Sequence, residues 1–303
     1  GGTNIYVPKI NQRGETDDWR YLQGYSITYS PKWISGLSLG FNRWVVMYGA
    51  LVEGGYPWLE GKRTWFPAFR NLFRKNDKYE NYEAQTDQAA GVFLRWLWKN
   101  SNAEIYAEYN HNDSKQNIRD LLLDSDHSRA VTIGLQKIFK INNDDFLFSW
   151  EWTQMEQTAS RLLRNAGSWY QHNWVFDGYT NEGEVLGAGI GPGSNSHYFA
   201  LSRIRKKQKL GIAFEIIDQD NDFYHEAFAS ASDPRRYWKD FNLHLNFSMK
   251  YKRLWISSNF MYSRSLNYQW DFDDTATEYY HPGNDVNNFH LAIKLAYLIP
   301  LSN

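Results

Sequence analysis

The sequence predicts an all-β fold, an antiparallel transmembrane β-barrel of the outer-membrane type, and three observations carry that expectation. Short segments alternate apolar and polar residues with period two, the connections between them alternate tight and long, and aromatic residues gather at the segment ends. Composition agrees. Aromatic residues make up 17% of the 303 residues, with 14 Trp and 21 Tyr, far above ordinary usage. With 22% charged residues and a mean hydropathy of -0.65, the chain does not read as a bundle of membrane helices. Its longest apolar run, residues 44–52, is about half the length a spanning helix needs.

Taken in order, the first strands are residues 25–29 and 37–47, joined by the tight turn 31–35. Residues 90–98 follow, then the turn 99–102 and a strand with Ile105, Ala107 and Tyr109 on one face and Glu104, Tyr106 and Glu108 on the other. Residues 131–139 lead through the turn 142–145 to Phe146, Phe148, Trp150 and Trp152, which alternate with Ser149, Glu151 and Thr153. A weaker strand, 198–204, passes through the turn 206–209 to Leu210, Ile212, Phe214 and Ile216. The clearest strand is 241–249, where Phe241, Leu243, Leu245, Phe247 and Met249 enclose Asn242, His244, Asn246 and Ser248. After the turn 250–253 come residues 254–262 and a last strand through Phe289, Leu291, Ile293, Leu295 and Tyr297, about eleven strands in all.

The connections 49–87, 110–128, 157–196, 218–237 and 264–287 are long, and they alternate with the five tight turns without exception. In a meander this puts every tight turn at one rim and every long loop at the other, the build of outer-membrane barrels with periplasmic turns and extracellular loops. A β-sandwich or propeller accommodates period two but has no reason to sort its loops. Trp33, Trp96, Trp98, Trp150, Trp152, Tyr251, Trp255 and Trp270 fall near strand ends, where amphipathic rings favour the lipid headgroup level. Polar faces then line a lumen, and the balanced signs of Arg95, Glu104, Glu108, Glu151, Glu215, Lys250 and Lys294 favour pairing that seals it over a charged selectivity ring. Parity adds an expectation: a barrel with both termini in the periplasm has an even strand number, and about eleven is odd. Residues 1–303 are thus expected to form a single barrel domain that is the C-terminal part of a longer barrel, or one closed by another chain, with residues 1–18 a loop or poorly defined strand.

One stretch, residues 168–195, breaks the alternation. Gly178, Gly183, Gly187, Gly189, Gly191 and Gly193, with Pro192, exclude a regular helix or central strand and mark a structured loop. It presents Trp169, Tyr170, His172, Trp174, Tyr179, Asn181 and Asn195, aromatic faces among planar amides, the groups that hold a neutral polyhydroxylated ligand. The run Tyr170, His172, Asp177-Gly178-Tyr179, Gly183, Val185-Leu186-Gly187 and 191–195 resembles the capsule-assembly outer-membrane protein family Wzi, as do residues 17–49, 66–73 and 87–91 in the same order. The resemblance covers most of the chain, on glycine, tyrosine and other aromatic positions rather than a catalytic set. It implies a barrel of about 18 strands, of which this chain is the C-terminal part, and binding of capsular or exopolysaccharide at the bacterial surface. The expected partners are surface polysaccharide, lipopolysaccharide and outer-membrane lipid, and envelope proteins. Alternative readings are an outer-membrane porin or diffusion channel, and a structural subunit of an envelope complex.

Other chemistries find little support. The chain has no cysteine, so disulfides, thiolate metal sites and cysteine nucleophiles are excluded, and its net charge of -1 offers no basic field for nucleic acid. Its histidines are scattered without HExxH spacing and no GxSxG elbow nominates a nucleophile, so neither catalysis nor a cofactor or metal is expected. Residues 218–222, Asp-Gln-Asp-Asn-Asp, begin like a calcium loop, but Phe223 occupies the place of the turn glycine. Residues 66–75 read as a short amphipathic helix inside the first long connection.

Overall fold

In a computed structural model of the chain, the described residues are 19–48, 86–112, 118–172, 175, 178–228, 233–271, 278–279 and 282–297. The expected helix at 66–75, Trp174 and residues 1–18 lie outside them. Among the described residues one antiparallel sheet runs through β1 (Arg20–Tyr29), β2 (Leu37–Tyr48), β3 (Thr86–Trp98), β4 (Ala103–Asn112), β5 (Arg129–Ile141) and β6 (Asp144–Gln154). It skips the small hairpin β7 (Thr180–Asn181) and β8 (Glu184–Val185), then continues through β9 (Asn195–Arg205), β10 (Gln208–Asp218), β11 (Lys239–Tyr251), β12 (Leu254–Leu266) and β13 (Val286–Tyr297). The sheet has 11 strands, as the alternation predicts, and each pairs with its predecessor in the meander. Two short helices, α1 (Ile118–Leu123) and α2 (Asn221–Ala227), sit in long connections. Among the described residues β1 and β13 are the two ends of the ladder.

The register explains why the alternation was so regular. Leu135, Trp150, Phe199, Phe214, Leu243, Tyr262 and Phe289 are consecutive cross-strand partners, one unbroken apolar row over seven strands. One residue along, the opposite face carries Gly134, Glu151, Tyr198, Glu215, Asn242, Ser263 and Asn288. Phe199, Phe214, Leu243 and Phe289 are exposed, so this apolar face is not a core. It is the hydrocarbon-facing wall of a barrel, with the polar face turned inward. No helix among the described residues is long and apolar enough to cross a membrane.

The tight turns are built as their sequences require. Asn102, Asn142, Lys206 and Lys252 each adopt positive φ, closing four of them. In the fifth, Gly36 has φ 79 and a Cβ there would fall 2.0 Å from the Leu97 carbonyl oxygen, so the turn folds against β3 only because no side chain is present. Rings gather at this rim: Trp96 lies 5.1 Å from Trp98, Phe139 stacks on Phe146 at 5.8 Å, and Tyr29 meets Trp33 at 6.2 Å. Two of the expected girdle residues are elsewhere. Trp255 is the register partner of Lys250 and so falls on the polar face, and Trp270 belongs to the connection after β12.

Inward charges also depart from expectation. Arg95 donates two bonds of 2.8 Å to Glu104 on the neighbouring strand. Glu151 accepts a 2.5 Å bond from Tyr106, and Glu215 accepts one of 3.1 Å from Asn242. Among the described residues these pairs are local, between neighbouring strands about 5 Å apart. Among the described residues Lys250 and Lys294 meet no carboxylate.

Candidate functional site

The connection after β6 does not stand off the rim. It folds onto the concave face, and its aromatic residues provide the adhesion. Trp169, 3% exposed, packs on Ala89 of β3, Ala130 of β5 and Met155, with Trp44 of β2 and Tyr170 beside it. The two alanines leave the space that the indole fills. Tyr179, also 3% exposed, packs with Val175 on Val46 of β2. These contacts make the described residues of 168–194 a plug seated against the first half of the sheet.

Tyr170 organises the plug from within. It has φ 66, its ring lies 6.1 Å from that of Trp169, and its hydroxyl accepts the Ala188 N–H at 2.9 Å. Its carbonyl accepts the Tyr179 N–H at 3.3 Å. That approach explains Gly178, which has φ 50 and whose added Cβ would lie 1.8 Å from the Tyr170 oxygen. Burial raises the pKa of the Tyr170 phenol, with the charge of Glu108 adding to it, so the ring is a neutral donor.

Toward the rim, Glu182 (φ 52) and Gly183 (φ 84) turn the β7–β8 hairpin, two successive positive angles as in a type I′ turn. Arg20 of β1 ties it down, donating to the Gly178 carbonyl at 2.8 Å and to Thr180 Oγ1 at 3.2 Å. Asn181 is exposed on this hairpin. His172 is half-buried, its Nδ1 accepting the Val175 N–H at 3.3 Å. Asn195 opens β9, and its Oδ1 accepts the Met155 and Glu156 amides at 3.2 and 3.3 Å while its Nδ2 donates to Glu156 at 2.6 Å. The structure thus brings Trp169, Tyr170 and Tyr179 together on the seated side, leaves Asn181 exposed and His172 half-buried, and spends Asn195 on the plug's base.

A second connection latches onto the plug. Asp220 caps α2 by accepting the Phe223 N–H at 3.1 Å, and Asp222 reaches across to accept the Gln157 N–H at 2.9 Å and the Ser168 hydroxyl at 3.4 Å. Asn221 donates to Glu156 at 3.0 Å, and Tyr237 Oη lies 3.1 Å from His225 Nε2. Burial, reinforced by Glu156 and Asp220, pushes the Asp222 carboxyl up to about 7. The acidic run that begins like a calcium loop therefore serves as a helix cap and a latch. No group of three His, Cys, Asp or Glu among the described residues is placed to hold a metal.

The third element was missed by sequence reasoning. Trp238, just before β11, lies 5.0 Å from Tyr268 and 5.4 Å from Trp270, just after β12, and Phe223 of α2 lies 5.0 Å from Trp270. Phe223 is 47% exposed, and nearby Tyr279, 67% exposed, lies under the Arg235 guanidinium at 4.5 Å. Asn267 holds this layer by donating to the carbonyls of Arg235 at 2.6 Å and Tyr237 at 3.1 Å. The signal was available, since antiparallel pairing of Lys239 with Leu266 brings the residues flanking both strands together.

Two cavities border the plug. One of about 500 Å³ lies between it and the wall, lined by Trp44, Glu108, Asn110, Thr132 and Tyr170 among others. Another of about 780 Å³ lies beneath residues 188–190, lined by Tyr106, Gln136, Glu151, Tyr198, Lys209 and Glu215 among others. Rings, amides and carboxylates together suit a ligand rich in hydroxyls and C–H faces.

Among solved structures the fold is similar to that of Wzi, an outer-membrane protein involved in group 1 capsule assembly in Escherichia coli and a carbohydrate-binding β-barrel. The similarity has a TM-score of 0.58 at 13% identity, over 92% of this chain and 52% of that one. The chain thus spans about half the length of the protein whose barrel it shares. No family model and no curated protein sequence matches the chain. The structural likeness falls on the family whose pattern residues 168–195 resemble, and it shows the barrel fold.

Proposed function

We propose that the chain forms wall and loop layer of a bacterial outer-membrane barrel that holds capsular or exopolysaccharide at the cell surface, binding the glycan without transforming it. The observation that carries this reading is the ordered layer on the long-loop rim, where Phe223 and Tyr279 present exposed rings beside the latched plug. Sharing a fold with a carbohydrate-binding barrel supports it. In this reading the long loops are extracellular, and rings stack on sugar C–H faces while His172 and Asn181 bond hydroxyls. Trp174 joins them by its chemistry, and Trp169, Tyr170, Tyr179 and Asn195 position the segment. The apolar wall meets outer-membrane lipid and lipopolysaccharide, and envelope proteins dock at the barrel's ends. Binding of purified capsular polysaccharide to the detergent-solubilised protein tests it. Phe223→Ala with Tyr279→Ala should weaken binding about tenfold, at roughly 0.5–1.5 kcal/mol for each ring. A wild-type protein that retains no surface polysaccharide would overturn the reading.

The polar groove along β10–β13 favours a second reading, a diffusion channel. Single-channel recording in a planar bilayer separates the two, because a binding barrel closed by its plug is electrically silent.

A further inference from the structure

Inward charges on the second half of the sheet are sorted by height. Lys209, Ser248, Ser257 and Lys294 are consecutive register partners on β10 to β13, a row of hydroxyls flanked by two ammonium groups near the tight-turn rim. Two residues along lies the row Gly211, Asn246, Asn259 and Ala292. Asn259 donates to Asn246 at 2.7 Å, which leaves the Asn246 amide nitrogen and the Asn259 carbonyl oxygen for a ligand. Among the described residues neither Lys209 nor Lys294 meets a carboxylate, and both are exposed. Glu215, the inward acid on β10, is six residues from Lys209, roughly 20 Å along the strand.

Apart from Gly211, the residues of these two rows line a groove of about 410 Å³, to which Ser202 and Tyr198 also contribute. It runs into the cavity beneath the plug, since Ser149, Tyr198 and Lys209 line both. Upward the continuous groove offers Glu151 and Glu215, acceptors for sugar hydroxyls, and downward it offers two cations among serines. Three strand spacings separate Lys209 from Lys294, about 14 Å between backbones, so the pair spans a length of chain rather than one ion.

We infer that the concave wall of β10–β13 is a saccharide site separate from the loop layer, selective for a chain that carries an oxyanion, with Lys209 and Lys294 recognising the charge. The inference rests on the proposed function for the ligand being a saccharide, and adds that the saccharide is acidic. An ammonium is a point charge and suits a uronate carboxylate or a sugar phosphate equally.

The test is calorimetric titration of the detergent-solubilised protein with tetragalacturonate, with its fully methyl-esterified form, and with pentamannose phosphate. Acid should bind about tenfold more tightly than ester, from two partly exposed ion pairs, and about 0.5 M salt should remove the difference. Lys209→Gln with Lys294→Gln should abolish it, whereas Lys206→Gln with Lys252→Gln, equal in charge but placed in turns, should not. Thermal melts of both pairs should match the wild type. Preference for tetragalacturonate alone identifies a uronate site, and preference for pentamannose phosphate alone a phosphate site. Equal binding of all three saccharides overturns the inference, as does equal weakening by both lysine pairs. If in that case Phe223→Ala with Tyr279→Ala still weakens polysaccharide binding, only the anionic site falls; if no saccharide or polysaccharide binds at all, the loop reading falls with it.

Discussion

The two halves of the sheet use small inward residues for opposite purposes. On β1–β6 they are seats. Ala89 and Ala130 lie under Trp169, Gly40 lies under the Phe93 ring, and Gly134 under the Tyr106 ring. On β9–β13 the inward positions Ala200, Ser202, Ser248, Ser257 and Ala292 are just as small, yet they line an open groove. What differs is where the aromatic mass goes, and that is set by a connecting segment rather than by the wall. A barrel wall built of small residues can thus be a socket on one side and a channel or binding groove on the other.

The comparison breaks most visibly at Trp169. Trp169→Ala removes the indole from its alanine seats and should cost about 3–5 kcal/mol of plug stability. Trypsin should then cut rapidly at Arg161 and Arg164, while the sheet keeps its far-ultraviolet circular dichroism. Gly178→Ala attacks the same plug through the backbone, with a Cβ 1.8 Å from a carbonyl at positive φ, and should cost about 3 kcal/mol by the same readout. Gly183→Ala is the internal control: φ is also positive, but nothing lies within 4 Å, so about 1 kcal/mol is expected.

The latch makes a pH prediction. Folding raises the Asp222 carboxyl from its ordinary 3.8 to about 7, so the folded state holds the proton more tightly than the unfolded chain. Its stabilising contribution is full below about pH 4 and is lost as pH rises through about 7. Burial lowers the pKa of His225 beside it, which penalises the latch only when that ring is protonated at the acid end. Protection of residues 157–168 from trypsin or hydrogen exchange should therefore fall between about pH 4 and pH 7. Asp222→Asn keeps an acceptor for Gln157 and should flatten the profile; an unchanged slope would remove Asp222 from the latch.

The wall was legible because lipid enforces it residue by residue. Every outward position of β11, from Phe241 to Met249, must be apolar, so the period survives in the sequence without help from distant contacts. Trp255 shows where this fails: Leu254, Trp255 and Ile256 are all apolar, the period is blurred, and only the register with Lys250 reveals that the indole points inward. In the connections no such rule operates. Trp169 and Phe223 are both aromatic residues in polar loops, and one is buried while the other is half exposed, because Ala89 and Ala130 offer a seat that Phe223 lacks. Trp270 looked like a girdle residue from its nearness to a strand end, but a short turn after Leu266 carries it over Trp238.

The finest distinction lies between two glycines that the sequence presents alike. A Cβ on Gly134 would fall 2.0 Å from the Tyr106 ring, and moving that ring breaks its 2.5 Å bond to Glu151, so Gly134→Ala should cost about 1–3 kcal/mol. On Gly211 the nearest atom is the Ser202 hydroxyl at 2.5 Å, which rotates away into the groove, and alanine restricts the unfolded chain more than glycine does. Gly211→Ala should therefore change urea-unfolding stability by no more than about 0.5 kcal/mol. Equal costs at the two positions would mean that the second half of the wall is also a seat, occupied by something packed as closely as Tyr106, and the open groove on which the anionic saccharide site depends would not exist.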